Sequence, residues 1–403
     1  MPDRKLFLLV VIVFSLIGSL FSNNMAMASP PFTTHIEPFL SSMSLEEKIG
    51  QLFMIAADGD LENLVRVYHV GGIVLFSRHT ETLSQTMQLI ERVRLASPIP
   101  PLVAVDQEGG RISRLPFATP VPDARRLGVL SDSSLQNIGM LVGRELHALG
   151  FNMNFAPVLD VDTCVENPVI GNRSFSQDPY IVARLGSAYI RGLHFAGVAA
   201  TAKHFPGHGD TSTDSHFALP VVNQTEERLQ SLELLPFRAA IRSNVDAIMM
   251  AHVAYPSLDP KPNWPASLSY TIITATLRNE LDYKGIIITD AMNMKAITNF
   301  NNPVQSAKTS FQAGVDIVLM PEDLPAVYQA LLLSVRNGEI PVKRVNDSVR
   351  RVLSLKLRLT DGPAIPFGKR LAHAQKTVGS PAHRLLLEQI VSGIVPQVES
   401  LNE

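Results

Sequence analysis

The sequence predicts one (β/α)8 barrel of the TIM type, followed by a short C-terminal extension. Three observations point there. Eight short apolar runs rich in β-branched residues are spread from about residue 50 to residue 321. Stretches with helical periodicity, long enough for right-handed crossovers, separate many of them. Five of the runs end on, or contain near their end, a chemically active residue: Asp106, Asp160, Lys203-His204, His252 and Asp290. In such a barrel the carboxyl ends of the strands form the face that carries the site.

Residues 1–28 are set apart from this frame. Arg4 and Lys5 precede an apolar run from Leu6 to Phe21, and Ala26-Met27-Ala28 follows it. This reads as a secretory signal with a small-x-small cleavage site. The 16-residue run is shorter than the roughly 20 residues a membrane-spanning helix needs, which favours cleavage over an uncleaved anchor. The expected location is therefore periplasmic or otherwise extracytoplasmic. The barrel is assigned to residues 29–359 and the extension to residues 360–403.

The expected strands are Gln51–Ala57, Gly72–Phe76, Leu102–Asp106, Asn152–Asp160, Val198–Phe205, Ala247–Val253, Gly285–Asp290 and Val315–Met320. Runs such as Ile286-Ile287-Ile288 are apolar on both faces, as parallel strands covered by helices require. Helices are expected at Thr82–Ala96, Ser134–Leu149, Pro179–Phe195, Glu226–Ser243, Pro303–Ala313, Leu324–Asn337 and Val342–Leu359. Past Leu359 come Pro363, Pro366 and Gly368, then an amphipathic stretch from His383 to Val395, which together read as an appendage.

Composition excludes several roles. The 403 residues carry 35 Lys and Arg against 37 Asp and Glu, without long charge runs, so nothing marks a nucleic-acid surface. Hydrophobic residues make up 46% of the chain and charged residues 18%, the balance of a chain that buries a large core. The single cysteine, Cys164, rules out an internal disulfide and a cysteine-rich metal site.

The densest chemistry lies at Lys203-His204-Phe205-Pro206-Gly207-His208-Gly209-Asp210, followed by Asp214-Ser215-His216. His204 and His208 would share a face if helical and could then hold a metal. Pro206, Gly207 and Gly209 argue against that helix. As a strand end running into a mobile loop, the segment places Asp214 and His216 on one side, two residues apart. A carboxylate beside an imidazole orients the ring and stabilises its cation, and histidine exchanges protons near neutrality. Gly207 and Gly209 are candidate hinges for loop closure. The competing reading is a surface loop whose polar groups satisfy turns. Asp290, on a rigid strand end, is placed to act as a nucleophile or to cap the following helix. Asp106 with Arg114, and the loop carrying Arg173, supply fixed donors and acceptors for hydroxyl groups, or structural ion pairs.

Taken together, the motifs DQEGGR at 106–111, GNRSF at 171–175, KHFPGHGDTSTDSH at 203–216, MAHVAYPSLDP at 250–260, ITDAMNM at 288–294 and AGVDIVLMP at 313–321 resemble glycoside hydrolase family 3. The resemblance covers roughly residues 44–359 and is greatest to the single-domain β-N-acetylhexosaminidases that act on peptidoglycan fragments; the 203–216 motif is its most specific part. It implies a (β/α)8 barrel, Asp290 as nucleophile, His216 as general acid/base with Asp214 as partner, and Asp106, Arg114, Arg173, Lys203 and His204 around a terminal N-acetylglucosamine. It implies no metal and no organic cofactor. The implied partners are N-acetylglucosamine-containing muropeptides or glycan ends. The alternatives are a β-glucosidase-like exo-glycosidase of the same family, a non-catalytic carbohydrate-binding barrel, and a metal-dependent hydrolase.

Overall fold

The computed structural model describes residues 33–359 and 365–393. The signal expected at residues 1–28 lies outside the described residues. Eight parallel strands form the barrel: β1 (Phe53–Ala56), β2 (Gly72–Leu75), β3 (Leu102–Val105), β4 (Met153–Asn154), β5 (Ala199–Phe205), β6 (Ala247–Met250), β7 (Ile286–Thr289) and β8 (Val318–Leu319). Each strand pairs with its sequence neighbour, and β1 pairs with β8. A parallel bridge between Ile288 and Ile317 links β7 to the β8 segment and completes the ring.

The alternation of side chains along each strand sorts the core into two parts. Met54, Val74, Leu102, Ala104, Met153, Ala199, Ala247, Met249, Ile286, Ile288 and Leu319 fill the barrel interior. Val352 and Leu355 join this interior cluster from helix Val342–Leu359. The intervening residues, among them Ile55, Ile73, Val103, Ile248 and Ile287, pack into the larger cluster shared with the surrounding helices. Gly72 shows how full the interior is, since a Cβ there would lie 2.6 Å from the end of Met54 and 2.7 Å from the Leu102 carbonyl oxygen.

All eight expected strands are present, but the regular ladders are shorter than the apolar runs. The largest difference is β4. Pro157 has no N–H to contribute to a ladder. The chain still stays bonded to β5, with Thr201 donating to the Ala156 carbonyl at 3.0 Å and Leu159 donating to the Lys203 carbonyl at 2.6 Å. The expected helix Glu226–Ser243 is two helices, Glu226–Ser231 and Leu234–Arg242. Pro236 explains the break: deep in one continuous helix it would remove a hydrogen bond and clash with the preceding turn, whereas in the first turn of a new helix it is tolerated. Helices Pro179–Phe195, Pro303–Ala313 and Val342–Leu359 match their expected bounds.

The extension is more integrated than an appendage. It forms helices Phe367–Thr377 and Pro381–Val391, and Ala374, Leu386, Leu387 and Ile390 from these helices join Val378, between them, in the same core that surrounds the barrel. Each fully buried aliphatic side chain of this kind contributes about 1.5–3 kcal/mol before entropy is counted. Among the described residues, no helix is long and apolar enough to cross a membrane.

Candidate active site

A cavity of about 300 Å³ opens at the carboxyl ends of the strands. The interior alternation that fills the barrel leads into it. Residues 102 and 104 point inward, and so does Asp106; 199 and 201 lead to Lys203, and 286 and 288 lead to Asp290. Rigid strands thus deliver two carboxylates and an ammonium to one end of a packed core. Of the expected site residues, Asp106, Arg114, Arg173, Lys203, His204, His216 and Asp290 line this cavity. Asp214 stands behind His216.

One wall is a charged network. Lys203 Nζ donates to Asp106 Oδ1 at 2.7 Å and lies 2.6 Å from Glu108 Oε1. Arg173 grips Glu108 through two parallel bonds of 2.8 Å each. Arg114 lies beside Asp106, 3.9 Å between nearest charged atoms. Its buried Nε has no hydrogen-bond partner among the described residues. Both readings of these arginines therefore meet: they line the cavity, and Arg173 is also in a buried ion pair. Glu108 was not picked out from sequence, although the DQEGGR motif contains it. Burial raises its pKa most strongly, but Arg173 and Lys203 outweigh that and hold it far below the usual carboxylate range. Glu108→Gln leaves two buried cations undercompensated, and urea unfolding is expected to show a loss of about 3–5 kcal/mol.

A second wall comes from the end of β5. The register against β6 shifts between Lys203 and Phe205, so His204 is an extra residue in the strand. A bulge of this kind re-aims side chains, and consecutive residues Lys203 and His204 both reach the cavity. His204 Nδ1–H donates to Asp160 Oδ2 at 2.7 Å. The other oxygen of Asp160 accepts the backbone N–H groups of His204, at 3.1 Å, and His208, at 2.6 Å. Lys203–Phe205 is strand and both rings have protein partners, which removes the helical metal-ligand reading of His204 and His208.

The glycines expected as hinges lie in packed backbone. Gly207 and Gly209 are buried; a Cβ on Gly209 would come within 1.7 Å of the Val161 carbonyl oxygen, and Tyr255 donates to the Gly207 carbonyl. Close backbone packing, not flexibility, requires glycine at 209. The exposed part of the loop begins at Ser212. His208 anchors it from below, with Nδ1 at 2.9 Å from Thr211 Oγ1 and Nε2 at 3.1 Å from Ser215 Oγ. Burial, reinforced by the neighbouring His204, pushes His208 down to about 4. In the unfolded chain it binds a proton near pH 6.5. The fold therefore loses stability as pH falls from about 6.5 to 4, because only the unfolded state gains the proton in that window. His208→Gln is expected to flatten this part of a plot of unfolding free energy against pH.

Asp290 follows β7, and the Ala291 N–H donates to its Oδ1 at 2.8 Å. Burial raises its pKa, yet His204, His252, the Ala291 N–H and Lys203 together bring it below the ordinary aspartate value. It is a carboxylate at neutral pH, ready to act as nucleophile or electrostatic stabiliser. His252, fully buried, supports it from beneath: Nε2–H donates to the Ala291 carbonyl at 3.1 Å, and Nδ1 accepts from Ser267 at 2.7 Å. Its position at a strand end was the sequence signal for this role.

Across the cavity, His216 Nδ1–H donates to Asp214 Oδ1 at 2.7 Å, and the His216 backbone N–H donates to the same oxygen at 2.8 Å. A carboxylate only accepts, so Nδ1 carries its proton and Nε2 is left to exchange one. The His216 side chain is 62% exposed, open to the cavity and to solvent.

The Glycosyl hydrolase family 3 N terminal domain matches residues 44–355. A Beta-hexosaminidase A of Pseudoalteromonas piscicida is 35% identical over 85% of this chain, and the match spans 61% of that relative's length. A Beta-hexosaminidase of Idiomarina loihiensis is 38% identical over 65% of this chain and 79% of its own. Among solved structures, a glycoside hydrolase family 3 beta-N-acetylglucosaminidase from a Paenibacillus species superposes with a TM-score of 0.81 at 40% identity, covering 87% of this chain and 68% of that one. With the family match running through all eight strands of the barrel, this chain belongs to glycoside hydrolase family 3.

Proposed function

We propose that the protein is a retaining exo-β-N-acetylhexosaminidase that releases terminal N-acetylglucosamine from peptidoglycan-derived muropeptides or glycan ends. The observation that carries this reading is the pairing, around one cavity, of an ionised strand-end aspartate with an exposed histidine already held by a carboxylate. The beta-hexosaminidase names of the relatives add the sugar class. The cavity volume, about 300 Å³, is at the small end for ligand sites and suits one sugar ring, not a chain.

In the first step Asp290 attacks the anomeric carbon while the His216 imidazolium gives its Nε2 proton to the departing oxygen. The leaving alcohol takes the bond electrons, and a glycosyl ester forms on Asp290. In the second step neutral His216 removes a proton from water, which displaces Asp290 and regenerates the carboxylate. Asp214 stabilises the imidazolium formed there. Asp106, Arg114, Arg173, Lys203 and His204 hold the ring hydroxyls and the acetamido group. No step calls on a metal or an organic cofactor.

Release of 4-nitrophenol from the N-acetylglucosaminide and from the glucoside tests the assignment. The N-acetylglucosaminide is expected to be preferred; preference for the glucoside would assign the chain to β-glucosidase chemistry instead. Prolonged chelation is expected to leave turnover intact. Export is part of the proposal, on the strength of Arg4, Lys5 and the apolar run to Phe21. Amino-terminal sequencing of the protein from cell fractions checks it, the expected new terminus being Ser29.

A further inference from the structure

Glu145 lies on the buried face of helix Asp132–Leu149, at a position where helical spacing from Ile138, Leu141 and Val142 calls for an apolar residue. A carboxylate is costly in such a place unless its oxygens are bonded. Here they are. Oε2 accepts the Thr119 N–H at 2.9 Å, and Oε1 accepts the Thr119 hydroxyl at 2.6 Å. Oε1 also accepts the Gly379 N–H at 2.9 Å and His383 Nδ1–H at 2.8 Å. One buried carboxylate thus joins the segment after β3 to the C-terminal helices.

The Thr119 side of this clasp leads to the site. Val121 donates to the Thr119 carbonyl at 2.9 Å, and the Val121 carbonyl accepts the Gly110 N–H at 2.9 Å. Gly110 belongs to the tight turn in which Glu108 and Gly109 both donate to the Ile112 carbonyl, at 3.0 and 3.2 Å. Glu108 and Arg114 line the cavity from that loop. On the other side, Gly379 sits at φ +60, and a Cβ there would lie 2.2 Å from the Phe117 carbonyl oxygen. Arg370 adds a second tie, 2.5 Å from Glu91 on helix Leu83–Ala96.

We propose that Glu145 is a positioning residue through which the C-terminal helices, at Gly379 and His383, hold the loop carrying Glu108 and Arg114 in its sugar-binding geometry. The loop contributes binding groups and neither Asp290 nor His216, so loosening it weakens substrate binding more than the chemical steps. The kinetic part rests on the reading under Proposed function; the loop-ordering part does not.

The test uses the full chain with Thr119→Val, His383→Ala and the double variant, which remove the side-chain donors to Glu145 from either side and leave the Thr119 and Gly379 backbone N–H bonds in place. Each single variant is expected to raise KM for an N-acetylglucosaminide about five- to tenfold, with kcat within about twofold of wild type. The double variant is expected to show less than the product of the two effects, as for residues acting through one shared group. Hydrogen exchange at amides 108–121 is expected to speed up in His383→Ala, while helices far from the clasp keep their wild-type rates. Unchanged exchange in that loop, or unchanged KM alongside faster exchange, would overturn the proposal. Should the wild type lack hexosaminidase activity, the functional reading fails separately, and loop exchange still decides the clasp. Glu145→Gln, which keeps size and an acceptor oxygen, is expected to restore part of the KM seen to be lost in Glu145→Ala.

Discussion

Asp290→Ala is expected to lower kcat by on the order of 10⁴-fold or more, the scale seen when a nucleophile is removed from a covalent mechanism. Sugar binding, measured by calorimetry with N-acetylglucosamine, is expected to persist. The contacts assigned to binding come from Asp106, Arg114, Arg173, Lys203 and His204, and of these His204 and Lys203 also act electrostatically on Asp290. Unchanged turnover would reject the role of Asp290 outright. The pH dependence carries a matching sign. Asp290 works as the carboxylate, and its surroundings hold its pKa below the ordinary aspartate value. The acidic limb of the kcat/KM profile that it contributes therefore lies below the usual aspartate range, with activity lost as pH falls through that lowered value.

His216→Ala is expected to cost about 10²–10⁴-fold in kcat for substrates with a poor leaving alcohol, the usual range for a general acid/base. With 4-nitrophenol as leaving group the first step needs less protonation, so the loss in that step is expected to be much smaller. Azide, which needs no base to attack, is expected to restore turnover and give a glycosyl azide. Asp214→Asn keeps the shape but removes the charge that stabilises the imidazolium, and a loss of about 10- to 100-fold is expected. Equal losses in His216→Ala for good and poor leaving groups would show that His216 does not donate the proton.

How much of this was legible beforehand depends on the kind of signal. The eight strands could be read because burial on both faces leaves uninterrupted apolar runs, and the interior alternation carried directly to Asp106, Lys203 and Asp290. The Asp214–His216 pair is local, two residues apart, and its geometry follows from a short turn. What escaped was set by contacts distant in sequence. Glu108 gains its place from Arg173, 65 residues away, and Glu145 from His383, 238 residues away. Gly209 looked like a hinge because glycine permits motion; only the approach of Val161 shows that it permits contact. One further miss had a visible signal, since Pro236 marked the break in an expected helix. Glu145 left a trace of its own by breaking an apolar face.

The central claim is that a glycosyl ester forms on Asp290. Mass spectrometry of the peptide containing Asp290 tests it most directly, after His216→Ala is mixed with 4-nitrophenyl N-acetylglucosaminide and quenched by acid. The first step remains fast in this variant while the second lacks its base, so the peptide is expected to carry one N-acetylglucosamine residue, on Asp290. An unmodified peptide during steady turnover, or the sugar on another side chain, would contradict the account.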